Sequence, residues 1–169
     1  MAMQPGTSLP IGGLSYVKGA DTPPLSELTV PALLANTAAL HGSRPAVVFR
    51  EQNIRWTWNE FSAEVDRMAA GLHALGLRKG DRVGIWSPNR FEWLLTQFAT
   101  ARVGLVMVNI NPAYRLAELE YALNKVGCKA IIAPEAFKTS RYLDMLATLA
   151  PELAKAEPCA LNAARLPLL

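Results

Sequence analysis

The sequence has few of the residues from which disulfide frameworks, metal centres and nucleophilic catalytic sites are built. Its 169 residues include two cysteines, Cys128 and Cys159, and two histidines, His41 and His73. Neither cysteine has another cysteine or a histidine close by, whereas a zinc site needs such ligands at short spacing. Each histidine falls near a helix end or on a helix surface, and no G-x-S-x-G motif is present. We therefore expect two free thiols, no metal ion and no nucleophilic site.

The sequence also lacks long apolar runs and clusters of charge of one sign. Its most apolar stretches, such as residues 105–110, are much shorter than the ~20 residues that span a bilayer. Seventeen lysines and arginines oppose 14 acidic residues and are scattered singly along the chain. A nucleic-acid-binding surface gathers such residues on one face. We therefore expect no transmembrane segment and no nucleic-acid partner.

The N-terminal 24 residues carry no targeting pattern. They contain neither the basic segment nor the apolar segment of a secretory signal, and too few arginines for an organelle transit peptide. They are rich in proline, glycine, serine and threonine. We expect a flexible arm over residues 1–24, a folded portion over residues 25–169, and a cytoplasmic protein.

Enough apolar residues are present to form a core: 51% of the chain is hydrophobic and 18% is charged, which excludes a disordered protein. Thr29 as an N-cap and Pro31 in the first turn predict a helix over residues 31–40. One face of this helix is expected to pack, formed by Leu33, Leu34, Thr37 and Leu40. Residues 46–49 and 54–57 are β-rich runs separated by a turn, a pattern typical of a hairpin.

A long helix is predicted after the hairpin. Thr57 and Glu60 have the spacing of a capping box, and Gly76 supplies the left-handed stop. The helix is indicated by apolar residues that fall at helical spacing: Phe61, Val65, Met68, Ala69, Leu72 and Leu75.

Strands and helices then alternate. Strands are predicted over residues 82–86, 105–110 and 129–133, with helices over residues 90–102 and 116–126 ending at Gly104 and Gly127. Strand–helix–strand units at this spacing indicate parallel strands. The strands are continuously apolar, as in a sheet covered on both faces. The sequence therefore predicts an α/β fold of parallel βαβ units with a preceding β-hairpin.

The last part of the chain is predicted to contain a helix over residues 140–149 and a second helical stretch over residues 151–164. It ends on the apolar run Leu166, Pro167, Leu168 and Leu169. We interpret this as a domain cut within an element, and therefore expect a fragment of a longer protein. Exposed strand edges would then favour poor solubility or self-association into a homo-oligomer.

Motifs for phosphate chemistry are missing. Neither G-x-G-x-x-G nor G-x-x-x-x-G-K-[ST] occurs, and Lys79, Gly80 and Asp81 precede a strand, where they are interpreted as a turn. Glu118 and Glu120 are two residues apart on a helix and point to different faces.

Polar residues follow the first two parallel strands, at the edge of the sheet where α/β proteins bind ligands. Ser87 and Asn89 follow the first strand, and Asn109 and Asn111 end the second. The favoured interpretation is structural: Ser87 or Asn89 caps the next helix, with Glu92 completing a capping box, and Asn111 shapes a loop with Pro112. Ligand contact is the alternative.

Several segments, in order, resemble the adenylate-forming superfamily of acyl-CoA synthetases, peptide-synthetase adenylation domains and luciferases. Residues 56–61 (WTWNEF) resemble its T-Y-x-E-L opening. Further matches are residues 69–72 (AAGL), 75–83 (LGLRKGDRV), Pro88, Asn89, Trp93 and 104–112 (GLVMVNINP). The segments that look most like medium-chain fatty-acyl-CoA ligases are residues 111–115 (NPAYR), 118–121 (ELEY) and 125–130 (KVGCKA). The resemblance covers residues 25–169.

The resemblance implies the N-terminal part of the large domain of an acyl-CoA synthetase-like fold. It also implies an ATP-dependent ligase that joins a medium- or long-chain fatty acid to coenzyme A through an acyl-adenylate, with ATP, Mg²⁺ and coenzyme A bound by the full-length enzyme. The family's phosphate loop, adenine and ribose motifs and catalytic lysine do not occur in the 169 residues and lie further along the chain in relatives. We therefore assign no catalytic, cofactor-binding or metal-binding residue, and expect the fragment alone to be inactive. A stand-alone α/β interaction module, or an adenylating enzyme for another carboxylic acid, are the alternatives.

Overall fold

The computed structural model describes Ala20 and residues 22–169. The flexible arm expected over residues 1–24 lies almost entirely outside the described residues and stays a prediction.

Helix α1 (Val30–His41) precedes an antiparallel hairpin of β1 (Pro45–Phe49) and β2 (Ile54–Thr57). The Thr29 hydroxyl accepts a hydrogen bond from the Ala32 amide, so the N-cap is confirmed. The expected packing face is wrong in part. Leu34 is buried, but Leu33 and Leu40 are 53% and 76% exposed. Helix α1 packs on helices α2 and α3, and of its leucines Leu34 alone belongs to the buried cluster that it shares with them.

Helix α2 (Trp58–Ala74) begins at the predicted capping box. The Thr57 amide donates to Glu60 Oε2 over 2.7 Å, and the Glu60 amide donates to the Thr57 hydroxyl over 3.3 Å. The hydrogen bond from the Thr57 amide lowers the pKa of Glu60. The helix ends one residue before the predicted pattern does: Leu75 is the C-cap residue and is 57% exposed. The chain then reverses at Gly76, whose φ is +88°.

The central sheet confirms the α/β prediction. Its elements are β3 (Arg82–Trp86), α3 (Phe91–Arg102), β4 (Val106–Ile110), α4 (Leu116–Val126) and β5 (Cys128–Ile132). The strand order is β4–β3–β5, and β3 is parallel to both neighbours. Helix α4 ends at Gly127 with φ +63°, in the left-handed conformation that its glycine was expected to provide.

Helices cover both faces of the central strand. Val83 on β3 belongs to a buried cluster with Ala69 of α2 and Ala99 of α3. Trp86, which points to the opposite face, belongs to another cluster with residues of α4 and α5, such as Leu119 and Tyr142. A third cluster joins the hairpin to α1, α2 and α3 and contains Leu34, Val47, Phe61, Val65 and Leu95.

The edge strand β4 is less covered than its apolar sequence predicts. Val106 is 48% exposed and Asn109 is also exposed, so full coverage is correct for β3 and wrong for β4. Helix α4 packs over β3, through Leu123 against Gly84, and leaves Val106 of the edge strand partly open on that face.

The C-terminal part differs from the sequence prediction. Residues 140 and 141 form the short strand β7 (Ser140–Arg141), which pairs with β6 (Ala136–Phe137), so helix α5 begins later, at Tyr142, and runs to Leu149. The helical stretch expected over residues 151–164 is wrong: a 3₁₀ turn (Pro151–Ala154) is followed by irregular structure. Pro158 lacks an amide donor and disfavours helical backbone at the residue before it.

The C-terminal apolar run reaches the core through Leu166, which is 1% exposed and packs in the same cluster as Trp86. Within the described part of the chain, no helix combines the length and the apolar character that a membrane span requires.

Candidate functional site

A cleft opens at the carboxyl ends of β3 and β4. Its volume is about 510 Å³. Because carboxyl ends of parallel strands meet at one edge of a sheet, the structure brings together the two polar segments that the sequence placed there. The lining residues are Ser87, Pro88, Asn89, Trp93, Asn109, Ile110, Asn111 and Pro112.

The loop after β4 is held from beneath by two buried aromatic side chains. Trp86 Nε1 donates to the Asn111 carbonyl oxygen over 3.1 Å, and the Tyr142 hydroxyl donates to the Pro112 carbonyl oxygen over 3.0 Å. The two rings meet edge to face with centroids 4.4 Å apart. Burial raises the pKa of Tyr142, so its hydroxyl stays a donor at neutral pH. The Asn111 side chain accepts from the Ala113 amide over 2.9 Å, which confirms its expected role in shaping this loop.

The loop after β3 is not capped as the sequence predicted. The N-cap residue of α3 is Arg90, and it makes no side-chain cap bond. The Ser87 hydroxyl donates to the Pro88 carbonyl oxygen instead. Since the helix begins at Phe91, Asn89 lies one residue too early to cap it, and the expected box with Glu92 does not form.

The Phe91 amide, at the start of this helix, is hydrogen-bonded by Gln52, which lies in the turn of the hairpin. Gln52 Oε1 accepts from the Phe91 amide over 2.9 Å, and Gln52 Nε2 donates to Glu92 Oε2 over 3.0 Å. Arg90 Nη2 lies 2.8 Å from Glu92 Oε1. Sequence reasoning missed Gln52 because a cap from a distant segment leaves no local pattern.

The two charged residues between the cleft-lining residues Asn89 and Trp93 are paired with each other. Burial acts to raise the pKa of Glu92, but hydrogen bonds from Arg90 and Gln52 outweigh it, so the pKa lies below its ordinary value. Glu92 is therefore ionised at neutral pH and compensated by Arg90. The cleft itself presents a hydroxyl, carboxamides and an indole, which can hydrogen-bond and stack with a ligand but supply no nucleophile or metal-binding carboxylate.

Replacing Gln52 by alanine is expected to lower the free energy of unfolding by about 1 kcal/mol, because the Phe91 amide and Glu92 each lose a hydrogen bond. Urea denaturation checks this value. Gln97→Ala, on the exposed face of the same helix, is the matched control and should change it little. Equal losses in the two variants would show that the cap contributes nothing.

The cysteines and histidines lie outside the cleft. Cys128, the first residue of β5, is buried and desolvation raises its thiol pKa, while Cys159 is exposed. His41 and His73 are exposed in the last turns of their helices. No group of three metal-binding side chains occurs among residues 22–169.

The turn at Asp81 and the pair Glu118 and Glu120 also have structural roles. Asp81 accepts from the Arg78 amide and pairs with Lys129 Nζ over 2.8 Å, which fixes the turn at Gly80 as expected. Glu118 and Glu120 do diverge. Glu118 accepts from the Arg115 amide, and Glu120 pairs with Arg165 in the C-terminal segment.

Comparison with known proteins gives a consistent result. The family model described as AMP-binding enzyme matches residues 34–165. The mitochondrial medium-chain acyl-CoA ligase of Mus musculus is 50% identical over 159 residues, 94% of this chain and 26% of that ligase. Its counterpart from Danio rerio is 46% identical over 160 residues, 95% of this chain and 26% of that ligase. Thus the chain spans about a quarter of the length of the curated relatives that it matches.

A solved structure, the inhibitor-bound N-terminal domain of FACL13 from Mycobacterium tuberculosis, superposes with a TM-score of 0.65 at 28% identity. The match covers 77% of this chain and 31% of that one.

Proposed function

The chain belongs to the family of AMP-binding enzymes, and from this we propose that it is the N-terminal portion of an ATP-dependent ligase that joins fatty acids of medium or long chain to coenzyme A. The observation that carries the proposal is the 50% identity, over 94% of the chain, to a protein named as a medium-chain acyl-CoA ligase. The fold supports it, since the chain superposes on the N-terminal domain of FACL13 and on a solved fatty acyl CoA synthetase, both from Mycobacterium tuberculosis.

The proposed reaction has two steps. The fatty-acid carboxylate attacks the α-phosphorus of ATP, giving an acyl-adenylate and pyrophosphate, and the thiol of coenzyme A then displaces AMP. Phosphoryl chemistry of this kind depends on positioning and on neutralising charge. Groups that do this are lysines, arginines, backbone amides and a divalent cation.

The residues of this portion do not fit a magnesium triphosphate. The cleft at the carboxyl edge is lined by neutral side chains, and the charged residues Arg90 and Glu92, which lie between two lining residues in the sequence, are paired with each other. The described residues also contain no cluster of carboxylates for Mg²⁺. We therefore assign this portion a supporting role: it builds one wall of the domain and one edge of its sheet.

The test is to compare this chain with the product of the reading frame continued beyond Leu169, using pyrophosphate release with octanoate, palmitate or benzoate in the presence of ATP and Mg²⁺. The longer protein is expected to release pyrophosphate with a fatty acid, and the 169-residue chain alone to release none.

Four results would contradict the proposal. Release by the 169-residue chain would contradict its supporting role. Preference of the longer protein for benzoate would identify an adenylating enzyme for another acid. No release with any acid, or a reading frame that stops at Leu169, would favour an interaction module.

The cytoplasmic localisation expected from the sequence stays a prediction. The mouse relative is named as a mitochondrial protein.

A further inference from the structure

Strand β4 has a free edge. It pairs with β3 on one side, and the residues that the structure describes place no strand on the other. The Val106 amide donates to the Asp81 carbonyl oxygen beside β3. Because backbone groups alternate in direction along a parallel strand, the amides and carbonyls of Met107 and Asn109 point outward. An edge of this kind is a template for another strand.

A groove of about 580 Å³ lies between this edge and helix α4. Apolar and aromatic side chains line it, and Tyr121 is 67% exposed and Val126 is 38% exposed. Glu118 lines one end of the groove and Lys125 the other. Both are exposed, and neither forms an ion pair with another described side chain.

The two charges are arranged symmetrically about the middle of the groove. They are seven residues apart, which is about two helical turns, so they lie on one face and the midpoint falls between Tyr121 and Ala122. The middle of the helix also lies close to the middle of the strand. Val108, the middle residue of β4, is in register with Gly84, and a Cβ at Gly84 would lie 3.6 Å from Leu123 Cδ2, within two residues of the midpoint of α4.

We propose that the β4 edge and the α4 groove form a self-association surface, which binds a second copy of this chain about a two-fold axis through Val108. The strands would pair antiparallel, with Val108 opposite Val108 of the second copy. Met107 and Asn109 would then exchange reciprocal backbone hydrogen bonds across the axis, and the two sheets would become continuous. Glu118 of each copy would face Lys125 of the other. A single two-fold axis would therefore pair the strands, bring the two grooves together and match the opposite charges.

The spacing of the elements allows this arrangement. Helix α4 lies above β3, because its Leu123 packs on Gly84. With neighbouring strands ~4.8 Å apart, the two α4 helices would lie about three strand spacings, or ~14 Å, from each other. Helices with their side chains are about 10–12 Å in diameter. Lysine and glutamate can therefore meet across the groove, with Tyr121 filling the space beneath them.

The charge pattern argues for a second copy as the occupant. A surface with one positive and one negative charge placed symmetrically about an axis is complementary to itself. The apolar ends match in the same way, because the axis brings Tyr114, at one end of the groove, towards Val126 of the second copy, at the other.

Sedimentation velocity of the 169-residue chain across the micromolar range tests the proposal. We expect a reversible dimer for the natural chain. Lys125→Glu would place two glutamates opposite each other in both symmetry-related pairs. It is expected to raise the dissociation constant of the dimer about tenfold or more. Val106→Lys, on the exposed end of the edge strand, is expected to weaken it as well. Lys155→Glu makes the same change in net charge away from the groove and should leave the dimer unchanged.

Mixing two charge variants gives the sharper result. Lys125→Glu and Glu118→Lys should each be mainly monomeric alone but form a heterodimer when mixed, since both charge pairs become attractive again. Glu118 also accepts a hydrogen bond from the Arg115 amide, so circular dichroism checks that its variant is folded. If that variant is unfolded, the comparison of Lys125→Glu with Lys155→Glu decides whether the charge in the groove is needed for the dimer.

The proposal is overturned if the natural chain is monomeric throughout, if the two glutamate variants behave alike, or if folded variants fail to associate on mixing. If the chain is monomeric, the β4 edge would instead be available to pair with a strand from another part of a longer polypeptide. The test needs no ligase activity, so its result is independent of the proposed function.

Discussion

Replacement of Trp86 by alanine is expected to lower the free energy of unfolding by about 3–5 kcal/mol, the range for deleting a large buried side chain. Trp86 is fully buried between the sheet and helices α4 and α5. The change would also remove the edge-to-face contact with Tyr142 and the hydrogen bond to the Asn111 carbonyl oxygen. Since small domains are stabilised by about 5–15 kcal/mol in total, the loss would be a large share. Guanidinium denaturation measures it.

Trp86→Phe separates the contribution of the aromatic packing from that of the indole hydrogen bond. Phenylalanine keeps an aromatic ring against Tyr142 but has no indole donor, so we expect a loss of about 1–2 kcal/mol. Amide hydrogen exchange in the loop after β4 should become faster in both variants, because the Asn111 carbonyl loses its partner. A loss below about 1 kcal/mol in the alanine variant would contradict the anchoring role that we assign to Trp86.

Replacement of Phe61 by alanine is expected to cost a similar amount, about 3–5 kcal/mol. Phe61 is 2% exposed and lies in the first turn of α2. Its ring centroid is 5.1 Å from Phe98 on α3, 6.4 Å from Trp58 and 6.5 Å from Trp56 on β2. It therefore joins the hairpin to two helices, and aromatic pairs of this kind add to the stabilisation from burial.

The near-ultraviolet circular dichroism of Phe61→Ala should also weaken, because two tryptophans lose a fixed aromatic neighbour. Phe61→Leu should retain most of the stability, since leucine keeps much of the buried volume. Phe137→Ala is the matched control: Phe137 is 41% exposed, and its loss should change the unfolding free energy by no more than about 0.5 kcal/mol. Comparable losses at the two phenylalanines would count against a central role for Phe61.

The parts of the fold that could be predicted from the sequence are those fixed by local rules. Residues 116–126 form α4 as expected, because an apolar stripe ends at a glycine that takes the left-handed conformation. The capping box of Thr57 and Glu60 marks the start of α2 in the same way. The parallel sheet follows from the alternation of apolar strands and helices, which leaves few other topologies.

The errors fall where distant segments decide the structure. The exposure of Leu33 and Leu40 depends on which side of α1 packs on α2 and α3, and the sequence of α1 alone does not determine this. Residues 151–164 do not form the helix that their pattern predicts, because Pro158 disfavours it and Leu166 is buried in the core. The cap of α3 comes from Gln52, on another element.

The candidate site was predictable in place but not in detail. Parallel strands bring Ser87, Asn89, Asn109 and Asn111 to one edge, and the structure confirms that they share a cleft. The detail was wrong at the loop after β3, since Ser87 and Asn89 do not cap the helix. Side chains without charge carry little information about a ligand, which is why the family relationship had to supply the proposed chemistry.

The bond from Gln52 to helix α3 has a consequence for how the hairpin can change during evolution. Surface turns usually accept insertions and deletions. Here the turn between β1 and β2 must present one side chain to the Phe91 amide and to Glu92. Adding or removing one residue would rotate that side chain away from its partners. The length of this turn is therefore constrained by a helix that lies 39 residues further along the chain.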